Sequence, residues 1–190
     1  MPKGKVVFIV EGHLEQKFLT EVCNGESKVL KLQNGKTVAA TAIAKQVKAQ
    51  ISIIRDPSYV VVLLDREKRP QSSIAFEKEI DAELKKLNFS VPFSVHVPDL
   101  MIENWILADV EALKRANLDV DLSKGTEGCH GKRKLDEAYR KKKKKYSEIF
   151  DGVPLLKSCS ANTIKTVSTS FDRLFTSVSH ILGDCYWLQR

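Results

Sequence analysis

The pattern of apolar and polar positions divides the chain into short strands and longer helices. Lys5–Val10 (KVVFIV) is a continuous β-branched apolar run, as expected of a strand covered on both faces. Glu11-Gly12-His13 breaks the run, and Leu14, Phe18, Leu19 and Val22 then recur at helical spacing. A short strand follows at residues 29–32, with Asn34-Gly35 as a turn. Ala42, Ile43, Val47, Ile51 and Ile54 form a helical stripe that Pro57 ends. Residues 59–64 (YVVVLL) give the strongest strand signal, and Asp65-Arg66-Glu67 follows at once. Ile74, Ile80, Leu84 and Leu87 predict a helix, residues 91–97 alternate like an edge strand, and residues 102–113 read as helix. Past residue 118 the periodicity weakens. It predicts a basic helix near 132–149 and a last helix near 162–182.

Strands alternating with helices imply an α/β fold: a mostly parallel sheet flanked by helices and joined by right-handed crossovers. Residues 1–117 form the expected α/β core, and residues 118–190 a basic helical C-terminal extension, or appendage, packed on it. Residues 124–131 (KGTEGCHG), with three glycines, are the candidate mobile loop. At 190 residues and 43% apolar, the chain fits one domain with a real core. Its longest apolar runs are too short to span a bilayer, and no secretory leader is legible, so a cytoplasmic location is expected. In that setting Cys23, Cys129, Cys159 and Cys185, which form no Cys-x-x-Cys pair, are expected to be reduced thiols rather than zinc ligands.

Charge changes the picture. The net charge is +7, and residues 132–145 alone carry nine bases against two acids, an equal excess. The basic character is therefore one patch: Lys132, Arg133, Lys134, Arg140, Lys141, Lys142, Lys143, Lys144 and Lys145. Such a patch either attracts polyanions by counterion release or is a solvated helix face.

The acids suggest chemistry. Ligands of open α/β sheets bind beyond the carboxyl ends of the strands. Glu11 follows the first strand and Asp65 the strand at 59–64, so parallel strands would bring both acids to one edge. In extended backbone Glu67 would face the same side as Asp65, and Glu103 follows the fourth strand at a similar edge. Acids in these places also cap helices. Jointly placed, they predict an oxygen-only site for Mg²⁺ or Mn²⁺ at Glu11, Asp65 and Glu67. The chain carries no P-loop, no dinucleotide fingerprint and no legible nucleophile–histidine arrangement.

The stretches VFIVEGHLEQKFL and VVVLLDREKR resemble the two acidic motifs of TOPRIM domains. Together with MIENWILAD, GKRKLDEAY and STSFDRLF, they resemble a small bacterial family of TOPRIM-like proteins related to the nucleases of OLD-type defence systems. The resemblance runs from about Val7 to about Phe175 and implies a TOPRIM-like, Rossmann-like fold. It also implies Mg- or Mn-dependent cleavage of nucleic acid (DNA ahead of RNA) in anti-phage defence, with an ABC-type ATPase as partner. Glu67 stands where TOPRIM domains usually carry Asp. On this reading Asp65 and Glu67 hold a metal, Glu11 holds a second or acts as general base, and Glu103 completes the catalytic cluster. Arg66, Lys68, Lys157 and Lys165 are candidates for stabilising developing charge. Lys132, Arg133, Lys134, Lys141, Lys142, Lys143, Lys144 and Lys145 would grip the phosphate backbone. The alternative is a non-catalytic regulatory or nucleic-acid-binding subunit of an ATPase complex. Trp105, Phe171, Leu174 and Phe175 read as core, and Trp187 as either core or partner surface.

Overall fold

Four short strands line up in parallel in the order β2-β1-β3-β4. They are β1 (Lys5–Val10), β2 (Ser27–Lys31), β3 (Pro57–Leu63) and β4 (Phe93–His96). This arrangement comes from a computed structural model that describes residues 5–23, 27–32, 38–182 and 185–189. The expected turn at Asn34-Gly35 lies outside the described residues. Pro57 opens β3 instead of merely ending the preceding helix. A strand's first residue tolerates proline because the missing N–H falls at the end of the ladder. The central strands are apolar on both faces because helices cover both.

One face of the sheet carries Val7, Ile9, Val60, Val62 and Leu64. These pack with Ile43, Val47 and Ile51 of α2 (Ala40–Ser52) and with Phe76, Ile80 and Leu84 of α3 (Ser73–Lys86). The alternate positions, Val6, Phe8, Val10, Val61 and Leu63, face a larger core built with α1 (His13–Val22), α4 (Glu103–Ala108) and α5 (Val110–Arg115). The same core takes in α6 (Gly131–Lys141), α7 (Val153–Ser158), α8 (Ala161–Val167) and α9 (Thr169–Val178). The C-terminal extension thus supplies most of one helical layer. Trp105, Phe171, Leu174 and Trp187 are buried in it, and Phe175 packs against it. The Trp187 ring meets those of Phe18 and Phe171 edge-on at 4.8 and 5.6 Å. Its indole N–H donates to the carbonyls of Leu156 and Cys159, which settles Trp187 as core.

Several elements are shorter than their periodicity suggests. The helix expected over 102–113 divides at Asp109, whose buried side chain caps α5 by accepting from the Ala112 N–H and also accepts the Ser160 N–H. The helix expected over 162–182 divides at Ser168, which caps α9 in the same way through the Phe171 N–H. The basic helix stops at Lys141, well short of 149. Lys143 turns back with φ of 58°, and a single π-helical turn follows at Glu148–Gly152. The glycine-rich segment 124–131 is tied down at its middle and its C-terminal end. Glu127 accepts from Ser168 and Ser170, and Asn104 binds the Cys129 carbonyl and the Gly131 N–H. A side chain at Gly131 would collide with Asn104 and with the backbone of Glu103, so the close approach of α6 to α4 requires glycine there.

The cysteines also depart from expectation. Cys23, just past α1, is joined to Cys185 in a disulfide across 162 residues, while Cys129 and Cys159 are free. No pairing could be read from that spacing, because only the fold brings the chain's end back to α1. No helix among the described residues is long and apolar enough to cross a membrane.

Candidate active site

The strand order reverses between β1 and β3: the chain passes outward from β1 to β2, then returns to the other side of β1 for β3 and β4. The two strands end in register, Val10 beside Leu63. Their carboxyl ends therefore open a crevice at the switch point, where α/β sheets place ligands. Glu11 and Asp65 stand there, as their positions after the strands predict. Asp65 Oδ1 accepts the Ile102 N–H at 2.9 Å, which draws the start of α4, and with it Glu103, to the same place. Glu103 is 4% exposed.

Two groups at this crevice lie outside the acidic set expected from the sequence. Glu15 is 2% exposed and lies one helical turn after Glu11. Its carboxylate folds back over Gly12, where any side chain would meet it. The sequence does carry a signal for it: Glu15 falls within the apolar stripe of Leu14, Phe18 and Leu19, where an acid must be satisfied or functional. Arg69 is the second. It is 4% exposed, forks onto Glu11 at 3.2 and 3.5 Å, donates to the Asp65 carbonyl, and lies 4.6 Å over the Phe76 ring. It is the built-in counter-charge of the cluster.

The carboxyls disfavour ionisation together. Burial, reinforced by the charges of Glu103, Glu148 and Glu11, pushes Glu15 up to about 8. Burial likewise raises Glu103 to about 7, with Glu148 and Glu67 adding repulsion. Asp65 is held well above the ordinary carboxylate range by desolvation and by Glu15 and Glu103. Glu11 is raised by desolvation against the opposing pull of Arg69.

The remaining predicted residues separate. Glu67 does not share Asp65's orientation, because the segment is not extended. Glu67 sits in a turn with φ of 48°, donates its N–H to the Leu100 carbonyl at 2.7 Å, and is exposed. It lines instead a cleft of about 490 Å³ with Lys68, Met101, His130, Lys132, Arg133, Asp136, Lys145 and Tyr146. The lysine run therefore does not act as one face. Lys132, Arg133 and Lys145 line the cleft beside Glu67, and Lys132 pairs with Glu148. Lys134, Lys141 and Lys142 instead bind the carbonyls of Asp121, Asp119 and Ala116, latching α6 to the segment after α5. Lys143 and Lys144 are exposed beyond the end of α6. Of the charge-stabilising candidates, only Lys68 reaches the cleft. Arg66 pairs with Asp99, Lys157 with Glu21, and Lys165 lies over the Phe175 ring.

Among the described residues, no group of three or more His, Cys, Asp or Glu side chains stands close enough to hold a metal ion as arranged. The donor chemistry nevertheless fits a hard divalent cation. All the donors are carboxylate oxygens, and to the burial that chiefly raises their proton affinities they add a mutual repulsion that a cation relieves.

A family model described as a domain of unknown function (DUF4276) matches residues 10–179. No curated protein and no solved structure matches the chain.

Proposed function

The chain belongs to the DUF4276 family, a domain of unknown function, and for this member we propose Mg²⁺- or Mn²⁺-dependent hydrolysis of nucleic-acid phosphodiester bonds. One observation carries the reading: Glu11, Glu15, Asp65 and Glu103 lie within electrostatic reach of one another at the switch point of a parallel sheet, though not close enough to chelate an ion as arranged, near a cleft lined by Lys68, Lys132, Arg133 and Lys145. Acids alone would suit many cation sites. Acids near a cationic groove suit a substrate whose own charge is negative and whose reaction develops more.

Asp65, Glu103, Glu11 and Glu15 are the residues that would hold the ion. When bound, the ion polarises the phosphoryl oxygen and makes water a better nucleophile. The chain's own residues do the rest. The Ile102 N–H fixes the carboxylate of Asp65, and Arg69 fixes that of Glu11. Lys68, Lys132, Arg133 and Lys145 draw the phosphate backbone into the cleft without reading bases. Glu67, at the cleft wall, is placed to touch substrate or an outer ion, not the buried cluster. Defence against phage, and an ABC-type ATPase partner, rest on the TOPRIM resemblance and belong to the same proposal.

The test is cleavage of plasmid and single-stranded circular DNA with Mn²⁺ or Mg²⁺, with and without a candidate ABC-type ATPase partner. The wild type should cut and be stopped by chelator, and Asp65→Asn should lose cutting by about a thousandfold, as for loss of a charge-stabilising group. Cutting by Asp65→Asn at the wild-type rate would refute the assignment.

A further inference from the structure

We propose that Phe150 is a base-stacking platform, so that the substrate presented to the carboxylates is unpaired nucleic acid. The inference rests on the nucleic-acid reading above and adds the substrate's form.

Phe150 is 84% exposed, the most exposed large apolar side chain among the described residues. Its backbone is nevertheless anchored. The Ser147 hydroxyl accepts the Phe150 N–H at 3.3 Å, and the Ser147 N–H donates to Asp151 Oδ2 at 2.8 Å. The Asp151 and Gly152 N–H groups both donate to the Ser147 carbonyl, at 2.8 and 3.0 Å. Gly152, next but one to Phe150, is pressed so closely on Tyr146 and Leu14 that no side chain fits. The segment is a single π-helical turn, a rare distortion that recurs at functional sites. A firmly held backbone presenting a bare ring to water is a built arrangement, not a frayed loop.

Its place gives the ring a partner. Glu148, two residues earlier, pairs with Lys132, and Tyr146, four residues earlier, lines the cleft beside Lys145. Phe150 thus belongs to the turn that follows the wall of a groove carrying Lys68, Lys132, Arg133 and Lys145 and is joined to that wall through Glu148 and Lys132. Cations that follow a backbone beside an aromatic face are the ordinary means of holding single strands, since every base has a π-face to offer. A base inside a duplex has both faces already covered.

Binding is measured by fluorescence anisotropy with a labelled oligo-dT of about 12 nucleotides and a duplex of the same length, in EDTA to prevent cutting. Phe150→Ala should weaken oligo-dT binding about 10-fold or more and leave the duplex within about twofold. Its melting temperature should match the wild type, because the ring packs on nothing. Phe150→Trp should restore affinity and add an emission that oligo-dT quenches, against the buried background of Trp105 and Trp187. The inference is overturned if Phe150→Ala binds oligo-dT like the wild type, if both probes weaken equally, or if the wild type binds neither probe. Mn²⁺-dependent cutting that persists without any dependence on Phe150 would overturn this inference and spare the nuclease reading. Phe150-dependent binding without cutting would do the opposite.

Discussion

At the scale of single residues, the chain holds titratable groups against their preference, and these make its stability depend on pH in two directions. Glu15 has a folded-state value of about 8 against about 4.5 unfolded, so the folded state binds its proton more tightly. The stabilisation from protonated Glu15 is complete below pH 4.5 and is lost as pH rises through 8. In metal-free protein, Glu15→Gln keeps the shape and removes the charge. It should raise stability by more than about 1 kcal/mol at pH 8 and by much less at pH 5, read from urea melts. An equal gain at both values would mean that folding leaves the proton affinity of Glu15 unchanged. His96 works the other way. Burial, helped by Arg173, lowers it to about 4, and its ring shares a 2.7 Å hydrogen bond with the Ser177 hydroxyl. The unfolded chain takes up that proton first, so stability should fall between pH 6.5 and about 4, by up to about 3 kcal/mol. His96→Asn should flatten that acid limb; an unchanged limb would assign it to other groups. Glu11 and Asp65 were legible as site residues because each closes a buried strand. The pairing of Arg69 with Glu11 was not, because only the turn at Glu67 swings Arg69 back onto it.

At the scale of elements, the lysine-rich stretch is two devices. One set latches α6 to the chain after α5 through carbonyls, and the other lines the cleft. Sequence alone could not divide them, because the split depends on where α6 stops and the chain reverses. Replacing Lys132, Arg133 and Lys145 with Gln should weaken polyanion binding and flatten its salt dependence by about 0.9 in log–log slope per lost phosphate contact on duplex. Replacing Lys134, Lys141 and Lys142 should leave that slope nearly unchanged and cost stability, about 0.2–1 kcal/mol each for exposed interactions. Filter binding over a salt series separates the two sets, and identical slopes for both would dissolve the distinction. The strands were read well because a run such as residues 59–64 has one interpretation in a two-sided sheet. The helices beyond residue 100 were read poorly. Their apolar stripes run through Asp109 and Ser168 without a break in period, although those two side chains cap and divide them.

At the scale of the whole molecule, the sheet needs residues 118–190. Val6, Phe8, Val10, Val61 and Leu63 share one core with Leu135, Leu156, Phe171 and Trp187, so a chain ending at residue 117 should fail to fold cooperatively. Trp187→Ala should cost about 3 kcal/mol or more, seen as a lower denaturation midpoint in a single transition. The parallel α/β architecture and a helical extension packed on it were visible in the sequence; that residues 118–190 share one core with the sheet's face was not, because weak periodicity does not say what a helix covers. The proposed chemistry rests on the crevice between β1 and β3, and its acids are the central claim. The most direct measurement is calorimetric titration of Mn²⁺ into wild-type protein and into Asp65→Asn at pH 8. Saturable binding to the wild type, lost or weakened about tenfold or more in Asp65→Asn, is the predicted result. Equal affinity in the two proteins, or no saturable binding to the wild type, would contradict it.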